Sequence, residues 1–354
     1  LGGLTAVMLG DGYKPHEAPT PDTNVVLHAV DIDAPKPFRR KNAPTFVLAV
    51  AQTASPPDDL LRTGYPLLVR ALANVTIIVS DTPTGLAVRF VTLEQGTYGV
   101  GPGLSDDELC ARVFERLEPL MSSRLVIAND FVADLPEHLW DGDATTAQML
   151  AAGRALDDLD LLPAPFPLEE ILGPRELRHV ALLYGIGGLS YGNVSARYQG
   201  RDVAGVPDAD GPVYWMSASG VDKSDLRVVG EHILLVRGYD AERDVMVLSV
   251  PPAITPRRVS VDAIEHWMIY REHPSVGAIL HVHGWIDGTT STDVNYPCGT
   301  VQLAGAVADL VRAARDPARA VVGLRNHGLT ITGESLDEIF ARVGSRIVAQ
   351  VPMS

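Results

Sequence analysis

Two kinds of periodicity alternate along the chain. Short runs rich in Val, Ile, Phe and Thr, bounded by Pro, Gly or Asp, fall at residues 24–30, 45–51, 75–80 and 86–93, and they predict strands. Residues 61–72 instead repeat apolar positions at helical spacing. Ser105-Asp106-Asp107-Glu108 reads as a capping box, with Leu109, Val113 and Leu117 following on one helical face. Residues 126–132 predict another strand and 146–159 another helix. Three prolines then fall within residues 161–168, removing backbone donors and fixing φ, which marks a linker. The expected division is therefore residues 1–162 and residues 163–354.

The second half begins with a predicted helix over residues 174–184 and a glycine-dense turn. Strands are expected near 194–198, 213–217, 232–237 and 245–250, then a helix over 261–271 and a buried strand over 276–283. A helix over 301–314, strands over 320–324 and 329–332, and a helix over 335–350 complete the pattern. Strands and helices alternating in this way make both halves α/β.

Composition narrows the function classes. Of 354 residues, 46% are hydrophobic and 21% charged, enough apolar material for a sizeable core. The formal net charge of −15 opposes nucleic-acid backbones and anionic lipid, and the short cluster Arg39-Arg40-Lys41 reads as solvated surface. No nucleic-acid partner is expected. No stretch approaches 18 uninterrupted apolar residues, so no membrane span is expected either. The opening LGGLTAVM lacks a basic n-region and a long h-region, unlike a signal peptide. Two cysteines, Cys110 and Cys298, exclude a disulfide framework and fit a reducing, cytoplasmic setting.

Four segments carry candidate chemistry. His281-Val282-His283 ends an apolar strand, and residues i and i+2 of a strand share a face, so the two imidazoles can chelate one divalent ion. The other reading is a pair of buried histidines satisfied by backbone. Arg325-Asn326-His327-Gly328 lies between two strand-like runs, and His327 can supply a third ligand. Residues 187–197 (GGLSYGNVSAR) and 217–225 (SASGVDKSD) are glycine-and-hydroxyl turns able to bring backbone amides to an anion.

The order of five motifs, GGLSYGNVSAR, MSASGVDKSDL, HPSVGAILHVHGW, NYPCGTVQLAGAVADLV and GLRNHGLTITGESLDEIF, resembles the class II aldolase/adducin family over about residues 170–350. The resemblance implies a three-layer α/β/α sandwich around a mostly antiparallel sheet, often assembled as a homotetramer with active sites at subunit interfaces. It implies a metal site at His281, His283 and His327, with zinc the expected ion and Mn, Fe or Co as alternatives. It places the acidic residue nineteen positions before His281, at Asp262, where many aldolases of the family have Glu and pentulose-phosphate epimerases have Asp. It maps the phosphate pocket onto Ser190, Asn193, Ser219, Gly220 and Ser260. His266, at i+4 from Asp262, matches a helix histidine of the family and is expected to be structural, while Glu265 is expected to point elsewhere. Lys223 reads either as a charge supplied near that pocket or as an exposed turn lysine, the latter being expected.

This sequence also departs from the family pattern. Val261 stands where a second hydroxyl is usual, so the substrate need not be a simple phosphate ester. Only twelve residues separate His283 from Tyr296, and no counterpart of the family's C-terminal tyrosine acid follows the last helix. Tyr191, Tyr270, Asp287 and Tyr296 are the candidate proton donors, with Tyr191 foremost. Three imidazoles leave a divalent ion most of its charge, so it can bind vicinal substrate oxygens and stabilise an enediolate. The expected function is a metal-dependent lyase, cleaving a C–C bond in aldol fashion or decarboxylating a small oxygenated substrate. The alternatives are a non-catalytic adducin-like scaffold and a sugar-phosphate 4-epimerase.

The N-terminal half matches no family. Its run Gly96-Thr-Tyr-Gly-Val-Gly-Pro-Gly103 suggests a phosphate loop but fails on charge, because Asp106, Asp107 and Glu108 fill the first turn of the following helix. It reads as a structural turn.

Overall fold

The computed structural model describes residues 1–41, 45–93, 96–161, 168–184, 191–200 and 211–353. The elements in chain order are α1 (Gly2–Gly10), β1 (Val25–Ala29), β2 (Phe46–Thr53), α2 (Leu60–Ala71), β3 (Val75–Thr82), β4 (Gly85–Val91), β5 (Thr97–Val100), α3 (Asp106–Ser122), β6 (Ala128–Val132), α4 (Ala144–Asp157), α5 (Leu168–Ile171), α6 (Pro174–Tyr184), β7 (Gly192–Arg197), β8 (Tyr214–Ser217), β9 (Ile233–Asp240), β10 (Val245–Ser249), α7 (Ala263–Glu272), β11 (Ala278–Val282), α8 (Val301–Ala313), β12 (Val321–Leu324), β13 (Gly328–Gly333) and α9 (Leu336–Val343). They form two compact units. One holds Leu1–Ser122, Ala164–Gly185 and Met353–Ser354; the other holds Ser123–Pro163 and Ile186–Pro352.

This division differs from a single cut in the proline run. Residues 123–163 join the second unit because β6 pairs in parallel with β10 and α4 packs on β7. Helices α5 and α6 pack on α2 and so join the first unit.

The first unit is built on a five-stranded sheet ordered β1-β2-β3-β4-β5, parallel from β1 to β3 and antiparallel from β3 to β5. Leu48, Ile77, Phe90, Val113 and Leu117 lie in its core. The expected cap of α3 is in place: the Ser105 amide donates to the Glu108 carboxylate at 3.0 Å. The glycine run at 96–103 is only partly a turn, because Thr97–Val100 forms β5 and Tyr98 stacks on Phe90.

The second unit carries the eight-stranded sheet β12-β13-β11-β7-β8-β9-β10-β6, antiparallel at every step except β10 to β6. Helices α7 and α8 pack together over one face, and α4 and α9 over the other, giving the three layers. Alternation along the central strands sorts side chains between the layers. On β7, Asn193 and Ser195 face α7, as does Thr330 on β13. No described helix is long and apolar enough to cross a membrane.

Candidate metal centre

Strand β11 is an apolar run at the middle of the sheet, and all five of its residues are buried. Its neighbours set the register: His281 lies opposite Asn193 on β7 and Thr330 on β13. The polar side chains on this face need partners in a dry layer, and α7 supplies them. Asn193 Nδ2 donates to Asp262 Oδ2 at 2.7 Å. Ser195 Oγ lies 2.7 Å from His266 Nδ1 and 2.8 Å from the Tyr270 hydroxyl. Thr330 Oγ1 donates to the Glu265 carboxylate. Glu265 thus points into the sheet, buried beside Asp262, and its carboxyl is pushed up chiefly by burial and then by that neighbour.

His283 follows the strand end, with its amide on the Tyr191 carbonyl at 2.9 Å. His327 comes from the turn between β12 and β13. Asn326 adopts φ +59° there, and the His327 amide closes the turn on Leu324 at 3.0 Å. Gly328 follows because β13 approaches β11 too closely for a side chain: a Cβ at 328 would lie 2.1 Å from the Val282 carbonyl. The turn thereby delivers His327 beside His283, 44 residues away in sequence.

The three imidazoles His281, His283 and His327 converge. One nitrogen from each lies within 4.8 Å of the others, and the Nε2 atoms of His283 and His327 are 3.2 Å apart. Nitrogens sharing a tetrahedral zinc at about 2.0–2.1 Å stand about 3.3–3.4 Å apart, so the spacing fits a common ion. Burial, then the neighbouring imidazoles, hold His281 and His327 well below the ordinary imidazole range, so both are neutral with a lone pair to give. The Leu329 carbonyl acts on the His281 ring, yet neither ring nitrogen completes a well-aligned hydrogen bond among the described residues. Asp262 Oδ1 and Asn193 Oδ1 are buried and unpartnered there as well, and His281 Nε2 lies 4.0 Å from Asp262 Oδ2. Orphaned acceptors and a carboxylate gathered in one dry place are costly unless a cation joins them. The donor set therefore fits a divalent metal.

The other expected residues are distributed around this point. Asp262 Oδ2 also takes a long bond from Ser260 Oγ at 3.4 Å. The Ser219–Gly220 turn is laid beside Ser260 by the bridge between Ala218 and Val259 and by the Ser219 amide bonded to the Arg258 carbonyl. Gly220 has φ +66°. Ser190 lies outside the described residues. The Tyr191 hydroxyl donates to Asp157 on α4, and burial together with that carboxylate raises the phenol far above its usual range. Tyr270 is wholly buried against Ser195, Asp287 is exposed, and Tyr296 is half-buried.

Three features lay beyond the sequence reading. Lys223 is buried rather than exposed: its ammonium bonds to the carbonyls of Val221 (3.0 Å) and Ala218 (3.4 Å), and burial lowers it to about 8. Asp157 was unnoticed because only packing brings α4 to Tyr191. Cys298 sits against His327, and its place in NYPCG just before the Thr300 cap of α8 was the one available signal.

A family model described as Class II Aldolase and Adducin N-terminal domain matches residues 176–286. Among solved structures, the chain is similar to L-fuculose 1-phosphate aldolase, with 15% identity, 59% of this chain and 84% of that chain covered, and a TM-score of 0.37. It is also similar to the N-terminal class II aldolase domain of a protein from Thermoplasma acidophilum, with 17% identity, 56% and 89% covered, and a TM-score of 0.36. A class II aldolase superfamily protein from Pseudomonas syringae shares 16% identity, with 60% and 73% covered and a TM-score of 0.35. A search of curated proteins returns no match.

Proposed function

With residues 176–286 carrying a class II aldolase/adducin-family domain, we propose that the protein is a metal-dependent lyase acting on a small oxygenated substrate. The observation that carries this reading is the convergence of three imidazoles within 4.8 Å beside the buried Asp262 carboxylate. His281, His283 and His327 would hold the ion, with zinc first and Mn, Fe or Co as alternatives. A divalent ion there supplies an electrophile for vicinal substrate oxygens and stabilises the negative charge that aldol-type cleavage or decarboxylation develops on them.

The chain's own groups divide the remaining work. Asp262 moves the proton at Oδ1, because Oδ2 is committed to Asn193 and Ser260. Asn193, Ser219, Gly220 and Ser260 orient the substrate's polar end, with Ser190 as a further member of that set. Tyr191 is proposed as the donor to the departing fragment; its hydroxyl is bonded to Asp157. The assembly is proposed as a homo-oligomer in the cytoplasm.

Asp rather than Glu at position 262 favours a second reading, a 4-epimerase-like reaction at the same centre. A scaffold without catalysis has no use for the three converging imidazoles. The test is metal content: protein made with zinc or manganese available carries about one ion per chain, and His281→Ala loses it. A metal-free wild type, unchanged by that substitution, ends the lyase reading.

A further inference from the structure

Lys223 is a buried charge that the chemistry proposed above does not use. It is 1% exposed and belongs to the turn that follows β8. Its ammonium bonds to the carbonyls of Ala218 at 3.4 Å and Val221 at 3.0 Å, which stand on either side of Ser219–Gly220. Each carbonyl is part of a planar peptide unit, so holding it also sets the direction of the amide beyond it. The unit joining Ala218 to Ser219 is fixed at both ends, because the Ser219 amide donates to the Arg258 carbonyl at 2.9 Å. Between the two held units Gly220 takes φ +66°. The amides of Gly220 and Val221 have no hydrogen-bond partner among the described residues. The turn lies beside the centre, since Ala218 bridges Val259 and the next residue, Ser260, bonds to Asp262 Oδ2 at 3.4 Å.

Among the described residues no carboxylate is bonded to the ammonium. Asp222, the charged neighbour that acts on it, commits its carboxylate to the Ser224 amide and hydroxyl at 2.9 and 2.7 Å. A cation held dry without a counter-ion is costly, and an anion at the turn offsets that cost.

We propose that Lys223 is a positioning residue: its ammonium holds the two peptide units that bound Ser219–Gly220 and places a cation behind them, so that the turn receives an oxyanion group of the substrate. This rests on the substrate-orienting role proposed for that turn and adds the charge of the group received. The lysine itself is firmly seated. Helix α4 packs on it at Gly153, where a Cβ would lie 2.0 Å from the Lys223 carbonyl.

The probe is inorganic sulfate, whose charge is constant between pH 7 and pH 9.5, titrated calorimetrically into zinc-loaded protein. Lys223→Met keeps the length of the side chain without its charge, and Lys223→Gln keeps a donor for the carbonyls. Both are expected to lose about tenfold in sulfate affinity, while K223Q keeps more of the ligand-free melting temperature. Burial lowers the wild-type ammonium to about 8, so sulfate affinity is expected to fall as pH rises through that value, and to fall less in K223M. The other titratable or charged groups around it are Asp222 and Asp225 on its own turn, His232 and Tyr191 acting with Asp222, and Arg154 and Asp157 on α4. Wild type and variant share them all, so the difference between the two profiles reports Lys223. Wild-type sulfate affinity in either variant overturns the proposal. So does a wild type that binds no sulfate, or one whose pH profile matches that of K223M. A wild type that takes up no zinc fails the lyase reading, and the same sulfate titration on that protein still decides the role of Lys223.

Discussion

His266 shows how burial alone converts an ordinary side chain into a pH liability. Its Nδ1 meets Ser195, its Nε2 is without a hydrogen-bond partner among the described residues, and desolvation lowers it to about 4. In the unfolded chain the ring takes a proton near its ordinary value of 6.5, and in the folded chain it does not. A depressed histidine favours the unfolded state only below that upper value, so nothing is lost above it, and stability falls as pH drops from 6.5 towards 4. The full effect is about 3 kcal/mol. Melting curves between pH 7 and pH 4 are expected to fall less steeply for His266→Gln than for the wild type, and parallel curves would refute this. At this scale the sequence was informative about which side chains come together. His281, His283 and Asp262 were legible because strand alternation and family spacing are local rules. The burial of Lys223 and the reach of Asp157 and Cys298 were not, because each depends on a partner distant in sequence.

The element that aims the centre is the four-residue turn Arg325–Gly328. A left-handed residue ahead of His327 reverses the chain, and Asn tolerates that conformation where most residues do not. Asn326→Val is expected to cost about 1–2 kcal/mol and to weaken zinc binding, whereas Asn326→Gly keeps the left-handed turn and loses less of both. Chemical denaturation and competition for zinc with a chelator together check it, and equal behaviour of the two variants would count against the turn's role. Most elements were legible in the hydrophobic pattern, and the exceptions have reasons. Strand β5 hid among glycines, which signal turns, and forms because β4 offers an edge and Phe90 a ring to stack on. Helix α9 was expected to reach residue 350. It stops at Val343, after which Val348 turns back to exchange hydrogen bonds with Trp285 at 2.8 and 2.9 Å. Nothing in the local pattern discloses that distant partner. The first unit showed its other strands and its Ser105 cap, and its described residues group no recognised constellation.

For the whole molecule, ion binding is a stability statement about one unit. A metal held by His281, His283 and His327 joins the end of β11 to the β12–β13 turn, both within the second unit. At free metal a hundredfold above its dissociation constant, linkage adds about 2.7 kcal/mol to that unit alone. Calorimetry of the intact chain is expected to show two transitions, of which chelation lowers one and leaves the other in place. A shift of both, or of neither, would contradict the assignment.

The backbone passes from one unit to the other at 122/123, 163/164, 185/186 and 352/353. Four such crossings mean that neither unit is a cassette. A protein engineer cannot lift out the unit that holds the three imidazoles with one pair of cuts. Trimming at the prolines would strip the sheet of its outermost strand and leave Tyr191 without its carboxylate.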